Sequence, residues 1–292
     1  MMLLKVPSEG SECSVVCSVS GGKDSTALIC ALRESDIPAK YVFADTGWES
    51  PVTYEYLDTL RNVLGITIDV VRPENDMVES IRKRAGFPAR MQRWCTQELK
   101  AKPLKQYHEE MWESGCDTIS AVGIRADEST ARAKLPEWED CSRWGGWVWR
   151  PLLLWTVEDV LRAHHRHGVP VNPLYERGHN RVGCYPCIMS GKQEIKLVAQ
   201  LDPGRIDLIE KLEAECEAER AIRNLEKPGR YAHKQASFFQ SRTNGAPMTI
   251  RETVTWSNTK RGGKQLELIQ DPPDGGCFRW GMCEAPGEES DE

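Results

Sequence analysis

Short apolar runs alternate along the chain with longer stretches whose apolar residues recur at helical spacing. Residues 14–19 predict a buried strand that runs straight into a glycine-rich turn, and residues 26–32 predict the first turns of a helix. Residues 41–44 predict a second strand ending at Asp45-Thr46-Gly47. A helix over 51–64, a third strand over 66–71, a helix over 100–114 and a fourth strand over 118–123 follow. Residues 148–152 predict a fifth strand and 157–167 another helix. Strands alternating with helices predict an α/β fold, Rossmann-like and doubly wound, with a mainly parallel sheet. Such sheets bind ligands at the carboxyl ends of strands, near a topological switch point, which is where the turns at 20–25, 45–47 and 123–125 are expected. From about residue 201 the pattern changes to a charged helix (205–225) and a region punctuated by Gly, Pro and Asn. The expected division is a domain over 1–200 and a C-terminal appendage over 201–292, whose last residues, 287–292, are expected to be a disordered acidic tail.

Composition adds limits. Of 292 residues, 40% are apolar and 28% charged, the balance of a globular protein with a sizeable core. No apolar run reaches membrane-spanning length and the N-terminus offers no secretory segment, so a cytoplasmic protein without a membrane partner is expected. The net charge of −6 hides an asymmetry: residues 220–264 carry ten Lys/Arg against two acids, whereas 265–292 carry one Arg against eight acids. The basic stretch, like Arg82-Lys83-Arg84, Arg90 and Arg93, reads either as a polyanion-facing surface or as a solvated one. The histidines 164, 165 and 167 read as helix-dipole partners or surface residues rather than ligands. Tryptophans between 138 and 155 read as packing, with base stacking the lesser alternative.

The candidate chemistry begins at Ser20-Gly21-Gly22-Lys23-Asp24-Ser25. Glycines let backbone approach an anion, and the helix that follows points free N–H groups and its positive dipole end at that anion. Ser20, Ser25 and Thr26 add hydroxyls and Lys23 adds charge; a tight turn without a ligand is the plainer alternative. The Walker A spacing is absent.

This loop resembles the pyrophosphate loop of N-type ATP pyrophosphatases, and further segments resemble the PAPS reductase family within that superfamily. These are Asp45-Thr46-Gly47 with Glu49, Pro51 and Thr53-Tyr54; Arg93 to Lys100 with Pro103-Leu104; Gly123-Ile124-Arg125-Ala126-Asp127-Glu128-Ser129 with Arg132; Trp149-Arg150-Pro151-Leu152; and Asn172-Pro173-Leu174-Tyr175 through Gly183-Cys184-Tyr185-Pro186-Cys187. The resemblance covers residues 14 to about 190 and implies the adenine nucleotide alpha hydrolase-like fold. It implies cleavage of ATP between the α- and β-phosphates with Mg²⁺, and adenylation of a substrate oxygen. It implies Lys23, Asp24 and Arg125 as catalytic residues. Ser20, Gly21, Gly22, Lys23, Asp24, Ser25, Thr26, Asp45, Thr46, Gly123 and Arg125 are implied as nucleotide-binding. Two departures qualify it. The loop is intact where PAPS reductases carry a degraded one, and the reductases' C-terminal Glu-Cys-Gly-x-His nucleophile is missing. The chain is therefore similar in character to DndC-type proteins of DNA phosphorothioation.

Eleven cysteines, an odd count without the spacing of a disulfide scaffold, read as metal ligands, catalytic thiols or core fillers. Cys17 and Cys30 are expected in the core, and Cys216 is expected to be incidental. Cys184-Tyr185-Pro186-Cys187 has the spacing to hold a metal or one edge of a cluster. Likeness to APS reductases implies a 4Fe–4S cluster on Cys95, Cys184 and Cys187, with Thr96 in place of the second cysteine of the reductases' pair. The fourth ligand is Cys283, Cys277 or an open iron; a structural zinc or a redox pair is the alternative. The expected activity is sulfur transfer to a nucleic acid (DNA phosphorothioation first, tRNA thiolation next), with a cysteine desulfurase as possible sulfur donor and an oligomer possible. Small-molecule sulfur metabolism and a non-catalytic nucleotide-sensing subunit are the competing readings.

Overall fold

A computed structural model describes residues 4–6, 13–89, 92–141, 146–228, 235–240 and 247–259. In chain order its elements are β1 (Ser14–Val19), α1 (Lys23–Glu34), β2 (Ala39–Ala44), α2 (Pro51–Leu64), β3 (Ile68–Val71), α3 (Met77–Arg84) and α4 (Trp94–Thr96). A π-helical turn (Gln97–Ala101) joins α4 to α5 (Lys102–Glu113). There follow β4 (Thr118–Ala121), β5 (Trp138–Cys141), β6 (Gly146–Trp149), α6 (Val157–Arg166), α7 (Pro173–Glu176), α8 (Lys192–Leu201), α9 (Pro203–Glu226), β7 (Phe239–Gln240), β8 (Pro247–Met248) and α10 (Ile250–Ser257).

The main sheet has the order β3-β2-β1-β4-β6-β5. All pairings are parallel except the edge pair β5–β6. The chain winds outward through β2 and β3, then returns to place β4 on the other side of β1, so the switch point lies between β1 and β4. This is the expected α/β fold with a mainly parallel sheet. β1 is central, so both its faces are covered: Val15, Cys17 and Val19 pack on one side with α1, and Val16 on the other with Val42 and Met111. Leu28, Ile29 and Leu32 of α1 are fully buried, each contributing roughly 1.5–3 kcal/mol of burial.

Several expected elements shift. The third strand starts at Ile68, because Ile66 closes the αL cap of α2 at Gly65 by donating to Arg61 O. The fifth strand ends at Trp149, since Arg150–Leu154 form turns. The helix expected over 100–114 is α5, which starts at Lys102 and is preceded by the π-helical turn and α4. Cys17 and Cys30 are buried as expected. Cys216 is not incidental: it is 1% exposed on α9, with its thiol facing Ile81 O at 3.8 Å. Trp138 stacks on the buried Trp149 at 4.9 Å, the packing role expected for that cluster.

A second core joins α3, α8, α9 and α10. Trp48, Met77, Ile81 and Leu99 meet Ile195, Val198, Ile206, Ile209, Leu212 and Ile250 there. The helices after residue 190 therefore share apolar packing with the β2–α2 turn and with α3. Residues 260–292, including Cys277, Cys283 and the acidic tail, lie outside the described residues. Among the described residues no helix is long and apolar enough to cross a membrane.

Candidate functional site

The glycine-rich turn joins β1 to α1. Gly21 has φ +72°, a conformation open to glycine, and a Cβ there would stand 2.8 Å from Thr53 Cγ2. Gly22 is the N-cap of α1, with no side-chain cap, so the first N–H groups of the helix point into the turn. Lys23 N–H donates to Tyr175 Oη at 3.2 Å. Asn172 Nδ2 donates to Gly21 O at 3.0 Å, which ties the turn to α7. Ser25 Oγ accepts from Ser20 N–H at 3.2 Å and donates to Gly22 O at 3.0 Å, and Thr26 Oγ1 donates to Gly22 O at 3.2 Å. These hydroxyls hold the loop's shape.

The charges converge on Asp24. Its Oδ2 accepts from Lys23 Nζ at 2.7 Å and its Oδ1 from Arg125 Nε at 2.5 Å. Arg125 is 3% exposed and also pairs with Asp127 at 2.6 Å. Burial disfavours its charge, but Asp24 and Asp127 outweigh that and raise its pKa. Gly123, at the end of β4, is what lets Arg125 reach across. A Cβ on it would lie 2.8 Å from Asp24 O and 3.0 Å from Ser25 N, so only glycine permits this approach of β4 to α1. The structure thus brings Ser20–Thr26, Gly123 and Arg125 into one cradle at the switch point.

Asp45 and Thr46 sit at the end of the neighbouring strand with partners of their own. Asp45 accepts from Tyr54 Oη at 2.7 Å and Arg72 Nε at 3.0 Å. Thr46 Oγ1 donates to the buried Glu49 carboxylate at 2.8 Å. Glu128 pairs with Arg132 and accepts from Arg125 N–H at 3.0 Å, an ion-paired turn beside the cradle.

His164 departs from expectation. It is 3% exposed rather than on the surface, and its Nε2 lies 2.9 Å from Lys23 O and its Nδ1 3.2 Å from Val169 O. Burial lowers its pKa, with the backbone carbonyls opposing. His164, Asn172 and Tyr175 support the loop from 141 to 152 residues away, a relation with no local sequence signal.

A narrow cavity opens beside the Asp45–Ser50 turn, and Cys95, Cys184 and Cys187 line it together with Thr46, Trp48, Met77 and Lys100. Cys184 reaches it because Glu49 and Cys184 form an antiparallel β-bridge, extended by Tyr185 N–H to Trp48 O at 2.9 Å. Trp48 Nε1 donates to Pro186 O at 2.9 Å. Lys100 Nζ stands 3.5 Å from Glu49 Oε1, and its charge acts on Cys184. Burial pushes the Cys95 and Cys184 thiols up, with Lys100 opposing at Cys184. Among the described residues no three His, Cys, Asp or Glu side chains are already disposed around a metal position. The donor chemistry nevertheless fits a thiophilic group. Three soft sulfurs share an apolar-walled space with one cation. Cys283 lies outside the described residues. The cavity adjoins the cradle: Val182, two residues before Cys184, lies 3.9 Å from a Cβ position on Gly22.

Residues 14–190 match the phosphoadenosine phosphosulfate reductase domain. The chain belongs to the PAPS reductase family. It is 32% identical to an uncharacterized 37.8 kDa protein of Escherichia phage 186, over 87% of this chain and 91% of that one. It is 29% identical to the adenosine 5'-phosphosulfate reductase of Allochromatium vinosum, over 60% of this chain and 68% of the reductase. Among solved structures, PAPS reductase from Candida auris in its phosphate complex aligns with TM-score 0.49 and 19% identity, covering 61% of this chain and 84% of that one.

Two expected basic surfaces of this PAPS reductase-family chain are partly spent on the protein itself. Arg220 donates to Ala85 O, Arg223 to Lys83 O and Glu219, and Arg251 pairs with Asp207 and Glu210. Arg82 pairs with Glu215, and Arg84 pairs with Glu98 and stacks on Trp94. Lys83, Arg93 and Lys227 stay exposed beside them.

Proposed function

We propose that this chain is an ATP pyrophosphatase that adenylates its substrate during sulfur transfer. The observation that carries the proposal is the intact cradle: a glycine turn at the N-terminus of α1, with the Lys23 ammonium and the buried Arg125 guanidinium converging on one carboxylate. Two buried cations that meet on Asp24 form a receptor for polyphosphate, because an incoming anion takes over their charge. Asp24, once released from them, would be the residue to hold the Mg²⁺ that accompanies ATP. A substrate oxygen attacks the α-phosphorus, the bond from that phosphorus to the oxygen bridging the β-phosphate breaks, and pyrophosphate departs into the cradle. The fixed N–H groups and cations stabilise the charge that develops on the leaving group. A sulfur nucleophile then displaces AMP from the activated centre.

In this reading Cys95, Cys184 and Cys187 hold a 4Fe–4S cluster, with Cys283, Cys277 or an open iron as the fourth position. When bound, such a cluster supplies a site where sulfide can be held or electrons stored. Lys100 and Glu49 orient the Cys184 end of the cavity. The acceptor is a nucleic acid, with DNA phosphorothioation ahead of tRNA thiolation. The support is the intact loop and the exposed Arg93, two residues before Cys95. The likeness to an APS reductase favours small-molecule sulfur metabolism as the second reading.

The test is pyrophosphate release from ATP and Mg²⁺, measured on anaerobically purified protein with DNA, tRNA or sulfate added. Stimulation by nucleic acid and loss in Asp24→Ala are expected. Release stimulated by sulfate alone moves the assignment to small-molecule metabolism. A protein that binds ATP without releasing pyrophosphate is a sensor.

A further inference from the structure

Helix α9 lies beyond the family match, yet its first turn packs on Trp48 and Glu49 of the turn that borders the cysteine cavity. Arg205 is the contact. Its side chain is 12% exposed, its guanidinium lies 4.8 Å from the Trp48 ring centroid and 5.8 Å from that of Tyr185, and its Nη2 donates to Glu49 O at 3.1 Å. Asp202, which caps α9, stands 3.9 Å from Arg205 Nε. Burial lowers the Arg205 pKa, with Asp202 opposing, but a guanidinium keeps its proton in a protein.

The residues it touches form one unit. Trp48 and Glu49 are one strand of the two-residue bridge, and Cys184 and Tyr185 are the other. The bridge has only a few hydrogen bonds and belongs to neither sheet, so it lacks a neighbouring strand to hold its register. Arg205 supplies that support through two aromatic faces and one carbonyl. A planar cation suits this place: it stacks on both rings and still donates at its edge, which an ammonium cannot do at once.

We infer that Arg205 is a positioning residue that fixes the Glu49–Cys184 bridge, and so presents Cys184 to whatever the three thiols hold. The inference rests on the proposed role of the cavity for its chemistry, but the bridge itself can be observed without any cluster. The helix at 203–226 then braces the bridge behind the site, although its sequence pattern is that of an appendage.

The experiment is amide hydrogen exchange on the full-length apo protein, following peptides that report the Tyr185 N–H, in wild type, Arg205→Ala and Arg205→Lys. Iron per chain after anaerobic reconstitution is measured alongside. Exchange at Tyr185 is expected to rise about tenfold in Arg205→Ala, as loss of the clamp opens the bridge, and to rise less in Arg205→Lys. Exchange across β1 and α1 stays at the wild-type rate, which separates local loosening from unfolding. If Arg205→Ala does not fold, Arg205→Lys alone decides: selective faster exchange at Tyr185 supports the inference. Unchanged exchange at Tyr185 in a folded variant overturns it. A wild-type protein that takes up no iron defeats the cluster reading and leaves the exchange result to judge Arg205 separately. Lower iron retention in Arg205→Ala than in wild type extends the role to ligand presentation.

Discussion

The phosphate cradle and the cysteine cavity share one turn but are built on opposite principles. In the cradle every charge already has a counterpart: Lys23 and Arg125 meet Asp24, and the serines and Thr26 close on Gly22. In the cavity burial works against ionisation, and the Cys95 and Cys184 thiols are pushed up with only Lys100 opposing at Cys184. The cradle is preorganised to exchange one set of ionic partners for another. In the proposed reading the cavity is a set of soft donors that a thiophilic metal completes. The difference teaches that the nucleotide half should work in isolation, whereas the sulfur half should depend on what is loaded into it.

The sharpest test of that asymmetry is Cys184→Ser. It is expected to abolish iron retention while ATP binding, measured by calorimetry, stays at the wild-type level; equal loss of both would unite the two regions. Next, Lys23→Ala should cut pyrophosphate release by about 10²–10³-fold, the scale for removing one preorganised charge-stabilising group. Its iron content should match wild type, and a drop in iron would break the separation from the other side. Third, Gly123→Ala forces a Cβ against Asp24 O at 2.8 Å. Backbone cannot yield cheaply, so chemical denaturation should show about 1–3 kcal/mol of lost stability, with weaker ATP binding. Stability equal to wild type would mean that β4 and α1 can separate. The smallest effect is expected from Arg72→Ala. Arg72 is 69% exposed where it meets Asp45, and surface pairs of this kind contribute about 0–1 kcal/mol. A larger loss in ATP affinity than in stability would place Arg72 on the nucleotide.

What was legible in the sequence was local. The strand–loop–helix at 14–34 declares itself because Gly21 and Gly22 punctuate two apolar runs of different period. Gly123-Ile124-Arg125 stood out as a turn at a strand end, but its meeting with Asp24, 101 residues away, depends on β4 returning to pair with β1. β5, the antiparallel edge, escaped notice because Trp138-Glu139-Asp140-Cys141 has little apolar alternation and is half-exposed. Glu49 read as part of a motif; its buried partnership with Thr46 and Lys100 needed the fold of the turn. Above all, residues 203–226 look charged and detachable in one dimension. Ile206, Ile209, Leu212 and Cys216 are spaced three or four apart and form a stripe that is buried in the second core.

The Asp45–Ser50 turn is a shared hinge pin. One end of it leaves β2 beside the nucleotide cradle, and the other pairs through Glu49 with the strand that carries Cys184. The two candidate sites are thus mounted on one short span of backbone, each at its own end. For anyone grafting either half onto another scaffold, the smallest portable unit therefore includes this turn together with the helix whose Arg205 pins it.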